Sequence, residues 1–163
     1  AQVAGAALLV TLGSWFMFPK SFIYFGVLHG IAVMLVVVRL TAGWGGWLWP
    51  AGALAIGLPW LAPAALAAWP ALELLNQPGP NVLGFITARP VTEDYVPLLP
   101  WLGVVWWGVA AGRWVLAHRP GGLGGAGDGG PMAVWGRWSL SYYLLHQPAL
   151  MGLVGLAVMV GPG

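Results

Sequence analysis

Residues 89–113, RPVTEDYVPLLPWLGVVWWGVAAGR, join two kinds of sequence that seldom touch. Arg89, Glu93 and Asp94 crowd its first positions, in a chain where only 6% of residues are charged. Tyr95, Pro97 and Pro100 follow, and then an apolar run that meets no charge until Arg113. A run of this kind reads as a membrane span. The charged knot at its head is either an ordinary interfacial loop or the mouth of a polar site.

Composition extends that reading to the whole chain. Of the 163 residues, 60% are hydrophobic and 12 are Trp, and the mean hydropathy is +0.83. A soluble domain carries roughly 25% charged residues, so 6% cannot cover a water-facing surface. The sequence therefore reads as an integral membrane protein whose partner is the lipid bilayer. Continuous rather than alternating apolar runs disfavour a β-barrel. With no cysteine, disulfides and thiolate chemistry are excluded. The net charge of +2 comes from few, scattered groups, which argues against nucleic-acid binding.

At about 20 residues per span, the expected fold is all-α, a polytopic transmembrane bundle of about five helices in one domain. The spans are expected at residues 1–18, 22–40, 47–68, 96–117 and 134–160. A tight Pro19-Lys20-Ser21 turn joins the first two, and Pro50, Pro59 and Pro63 should kink the third. Residues 69–96 form the longest connection, rich enough in leucine to fold against the bundle. The glycine-rich run 120–131 reads as a flexible loop. An apolar run is already under way at Ala1, so the chain reads as a fragment that begins inside or at the edge of a span. Alternating sides gather Arg39, Arg113, Arg119 and Arg137 opposite Lys20 and Arg89, and the positive-inside rule puts the first group in the cytoplasm. The Arg89–Tyr95 knot then lies on the outer side.

Ionisable groups inside a span are functional candidates by default. His146 lies near mid-membrane in the last span, beside Gln147 and Pro148, and His29 lies inside the second. Each is a candidate base or nucleophile, with a structural hydrogen bond to a neighbouring helix as the alternative. Neither has a third ligand in reach, so no metal site is expected. Ser21, Tyr24 and His29 are spaced to share one side of the second span. Arg89, Glu93, Asp94 and Tyr95 either bind a polar substrate or pair with one another, and Asp94 is also placed to cap the fourth span. Arg113, Arg119 and Arg137 are topology anchors, or guanidiniums that read phosphate bidentately.

Three stretches carry a resemblance: FPKSFIYFGVLHGIAV at 18–33, ARPVTEDYVPLLPWLGVVWWGVAAGR at 88–113, and GRWSLSYYLLHQPAL at 136–150. Together and in this order they resemble the bacterial branch of the heparan-alpha-glucosaminide N-acetyltransferase-like membrane family. The resemblance implies an enzyme of the bacterial cytoplasmic membrane that moves an acetyl group from cytosolic acetyl-CoA to an amino sugar or related glycan at the far face. Acetyl-CoA is a co-substrate in this reading, no cofactor is bound, and a homo-oligomer is left open. The family begins with further spans, including an Arg-Gly helix and the histidine usually proposed for acetyl transfer, without counterpart here. His29 and His146 are therefore not equated with that histidine.

Acyl transfer needs a base or nucleophile and donors for an oxyanion. His146, His29 and Asp94 are the candidates for catalysis, Arg89, Tyr95 and Gln147 for the acceptor, and Arg113 and Arg137 for coenzyme A phosphates. The alternative is a transporter or scaffold that binds a small polar solute through the same residues.

Overall fold

The computed structural model describes residues 2–118 and 131–160. They fall in two compact units, divided after Pro120. Every regular element among the described residues is helical, and the only pairing of strand type among them is one parallel bridge between Phe25 and Tyr95.

The first unit holds α1 (Gln2–Met17), α2 (Val27–Thr41), α3 (Leu48–Gly57), α4 (Ala62–Ala68) and α5 (Trp101–His118). The second holds α6 (Pro131–Val160). The helical run Val27–Ala68 is long and apolar enough to cross a membrane by length and composition, whereas α1 is apolar but shorter. That run is not one rod. Between α2 and α3 the chain tightens to a 3-10 turn at Ala42–Trp47, where Gly45 takes φ 57° and ψ −124°. A side chain strongly disfavours that backbone, so the glycine makes the break.

Prolines set the later breaks. Pro59 opens a 3-10 stretch at Leu58–Leu61, and Pro63 stands in the first turn of α4, where its missing N–H has no helical partner to lose. Residues 69–100 are ordered by two short 3-10 helices, Pro70–Asn76 and Pro80–Leu83. Leu98 and Leu99 donate their N–H groups to the carbonyls of Val82 and Leu83, at 2.8 and 2.9 Å.

Two helix starts differ from the expected ones. The second helix begins at Val27 rather than residue 22, because Phe22–Gly26 runs extended and pairs with another segment. Helix α5, which answers to the fourth expected span, begins at Trp101 rather than residue 96. Val96 and Leu99 each precede a proline, whose ring pushes the preceding residue away from helical angles. The glycine-rich run and Arg119 lie outside the described residues.

The tightest helix packing joins α3 to α5. A Cβ on Gly103 would stand 2.5 Å from the Gly52 carbonyl oxygen and 2.7 Å from Ile56 Cγ1. Small residues let two backbones approach in this way, the usual device where apolar helices gain nothing from leaving lipid. Trp107 closes the same seam by donating its indole N–H to the Trp49 carbonyl at 2.9 Å.

Candidate functional site

The charged knot is a clamp on the start of α2. Residues 92–96 lie along residues 21–27, held from both sides. Glu93 N–H donates to the Ser21 carbonyl at 2.9 Å, and the Ser21 hydroxyl donates to Glu93 Oε1 at 2.5 Å. Thr92 Oγ1 donates to the Phe22 carbonyl at 2.9 Å, and Val96 N–H to that of Phe25 at 3.4 Å. Asp94 Oδ2 accepts the Val27 N–H at 2.8 Å. Val27 is the first residue of α2, so Asp94 caps that helix and sits where its dipole favours an anion. Asp94 therefore caps α2 and not the helix that follows it. Gly26 leaves the room, since a Cβ there would collide with the Asp94 carboxylate.

Ser21 and Tyr24 precede the helix, so they share no helical face with His29. His29 instead belongs to its first turn. Thr11 Oγ1 donates its only proton to the Ile23 carbonyl at 2.7 Å, so the contact of 3.0 Å with His29 Nε2 requires the imidazole to donate. Nδ1 then keeps its lone pair and accepts the Gly26 N–H at 3.4 Å. Both ring nitrogens are engaged, and the network assigns the tautomer. Ser14 extends the same device by accepting the Ile23 N–H at 2.9 Å.

Beside the clamp stands a node that sequence reasoning missed. Asn81 is 1% exposed. Its Nδ2 donates to the Tyr24 hydroxyl at 2.7 Å, and its carbonyl accepts the Tyr95 hydroxyl at 2.5 Å. Its Oδ1 is buried without a partner among the described residues. An asparagine inside an irregular connection carries no periodic signal, so nothing in the sequence marks it out.

Arg89, Pro90, Thr92, Glu93 and Tyr95 line a small pocket of about 160 Å³ on this clamp. At the other end of α2, Arg113 donates to the Ala42 carbonyl and Trp106 donates to Thr41 Oγ1 at 2.9 Å. A larger apolar pocket of about 530 Å³ opens there between Trp44, Trp47, Pro50 and Leu54.

In the second unit, His146 Nδ1 lies 2.8 Å from the Tyr143 carbonyl and 3.2 Å from that of Tyr142. Carbonyl oxygens only accept, so Nδ1 bears the proton and Nε2 carries the lone pair. The Tyr142 ring stacks on the imidazole with centroids 5.7 Å apart. Arg137 is exposed on the same helix, and the Gln147 side chain lies outside the described residues.

Comparison with known families decides what these parts belong to. The family model described as heparan-alpha-glucosaminide N-acetyltransferase, catalytic, matches residues 1–148. The chain belongs to that family. No curated protein and no solved structure matches it. The match to the N-acetyltransferase family takes in the clamp, the Asn81 node and α6 as far as Pro148, so it covers every candidate residue named above. It supports an acetyltransferase-like function at the level of the family.

Within the matched domain, the Tyr95 hydroxyl makes one pH dependence readable. Burial, reinforced by the nearby Tyr24, pushes the phenol up to about 12 from its ordinary 10.0. The hydrogen bond to the Asn81 carbonyl also needs the phenolic proton. Between pH 10 and 12 the unfolded chain loses this proton first, so the folded state binds more protons and stability falls as pH rises. Thermal unfolding across that window should show a decline in Tm for the native protein that Tyr95→Phe makes shallower. An unchanged slope in the variant would remove Tyr95 as its source.

Proposed function

We propose that this protein is a membrane acetyltransferase that crosses the bilayer about five times. It takes an acetyl group from cytosolic acetyl-CoA and passes it to an amino sugar or related glycan at the opposite face, in a bacterial cytoplasmic membrane. The observation that carries the reading is the match to a catalytic-domain model over residues 1–148.

The chemistry divides among the residues as follows. The acceptor amine attacks the thioester carbonyl, a C–N bond forms, the C–S bond breaks, and the amine proton must leave to a base. Within the second unit, His146 has the tautomer that a base requires, with the lone pair on Nε2. His29 is not suited to that task, because both its nitrogens already serve the α1–α2 corner. The polar clamp pocket holds the acceptor through Arg89 and Tyr95. Arg113 in the first unit and Arg137 in the second are each, taken separately, suited to bind a coenzyme phosphate. Asp94 acts on the reaction by fixing the start of α2, a positioning role.

In the intact protein reconstituted in nanodiscs, His146→Ala should lower kcat for acetyl-CoA-dependent acetylation of glucosamine by about 10²–10⁴-fold. His29→Ala should instead lower Tm, with a smaller change in kcat. A His146→Ala protein that acetylates at the native rate would remove it from the mechanism. Absence of any thermal response to coenzyme A would favour a solute-binding or transport role instead.

A further inference from the structure

Arg89 and Glu93 line one pocket with opposite charges, yet they form no ion pair with each other. Glu93 accepts a hydrogen bond from the Ser21 hydroxyl and so is held in place, with a second carboxylate oxygen to spare. Arg89 makes no hydrogen bond or ion pair with any described residue. A guanidinium and a carboxylate that share a wall without joining leave both charges facing an occupant. At about 160 Å³ the pocket is smaller than the roughly 300–1,000 Å³ usual for whole ligands, so it takes one end of a molecule.

We propose that this pocket binds the zwitterionic end of the acceptor, with an anionic substituent on Arg89 and the ammonium on Glu93. The inference rests on the acetyltransferase reading only for its second half, which concerns the product. When the amine nitrogen bonds to the acetyl carbon, the C–S bond breaks, coenzyme A leaves as its thiol, and the ammonium becomes a neutral amide with release of a proton. The product has lost the charge that Glu93 holds while keeping the anion on Arg89. Acetylation itself thus loosens the product. Arg89 reads which sugars enter, and Glu93 separates the unreacted sugar from the reacted one.

The test is calorimetric binding to the intact protein in nanodiscs, using glucosamine 3-phosphate, whose anion stands on the carbon next to the one that bears the amine, with glucosamine and N-acetylglucosamine 3-phosphate for comparison. The first should bind about tenfold more tightly than either of the others, as expected for one lost charge-assisted contact. Its affinity should fall as salt is raised, because both charges are exposed. Arg89→Gln should erase the preference for phosphate, and Glu93→Gln the preference for the free amine. Both variants should keep the native Tm, since Arg89 has no partner among the described residues and the amide oxygen introduced by Glu93→Gln still accepts from Ser21. Equal affinity for the three sugars, or a phosphate preference that survives Arg89→Gln, overturns the proposal. Acetyl transfer to glucosamine without any phosphate preference would sink it and leave the enzymatic reading standing. Charge-dependent binding without transfer would do the reverse.

Discussion

Gly103→Leu should unfold the first unit at markedly lower temperature, with a loss of about 3 kcal/mol, the upper end of what overpacking a core costs. The new Cβ would stand 2.5 Å from the Gly52 carbonyl oxygen, 2.7 Å from Ile56 Cγ1 and 3.1 Å from the Ala55 Cβ. Two of those neighbours belong to the backbone or to a Cβ fixed on it, so no side-chain rotation relieves the clash. Helices α3 and α5 must separate along their whole seam, and leucine adds further atoms beyond its Cβ. The Trp107 bond to the Trp49 carbonyl would be lost with the seam. Gly108→Leu on the same helix is the internal control, because its Cβ meets nothing within 4 Å. Thermal unfolding of both variants in detergent checks the contrast. Equal Tm values would mean that the Gly52–Gly103 contact does not hold the helices together.

The second large effect concerns Asp94, and it separates two roles. Asp94→Ala removes the acceptor for the Val27 N–H and the negative charge at the α2 terminus. Losing a helix cap costs about 0.5–2 kcal/mol, and here the cap also ties residues 92–96 to residues 21–27. Asp94→Asn keeps an oxygen that accepts from Val27 but discards the charge. If Asp94 acts by positioning, Asp94→Asn should recover most of the Tm and of kcat, while Asp94→Ala loses both. A variant Asp94→Asn with native Tm and abolished acetyl transfer would instead make Asp94 a participant in the chemistry. Measuring Tm and kcat on the same preparations decides between them.

Much of the candidate site is legible in the sequence because its residues stand out chemically. Arg89, Glu93, Asp94 and Tyr95 are polar in a chain that is otherwise apolar, and they do gather around one pocket and one helix start. The partners they choose are not legible. A second span that starts at residue 22 absorbs the extended segment into a helix and hides its pairing with residues 92–96. Asn81 and Thr11 escape notice for a related reason. Neither is charged or part of a periodic pattern, and each matters only through what it touches.

The histidines make the division plain. By sequence alone His29 and His146 are both candidates, each a titratable ring in an apolar run, with His146 favoured only for its mid-span place beside Gln147 and Pro148. The fold separates them through the bonds each ring makes among the described residues: His29 uses both nitrogens at the α1–α2 corner, and His146 uses Nδ1 on its own helix.

The amino-acid sequence by itself determined the helical class, a run long and apolar enough to cross a membrane, the proline- and glycine-marked breaks and the family. All of these follow from local sterics, hydropathy and motifs read along the chain. Only the tertiary structure decided that Asp94 caps α2, that His29 is fully engaged, and that Arg89 and Glu93 share a pocket unpaired. A hydrogen bond is satisfied by whichever group is nearest in space. For the bonds that build this clamp, between Ser21 and Glu93 or Val27 and Asp94, that group lies 72 or 67 residues away along the chain.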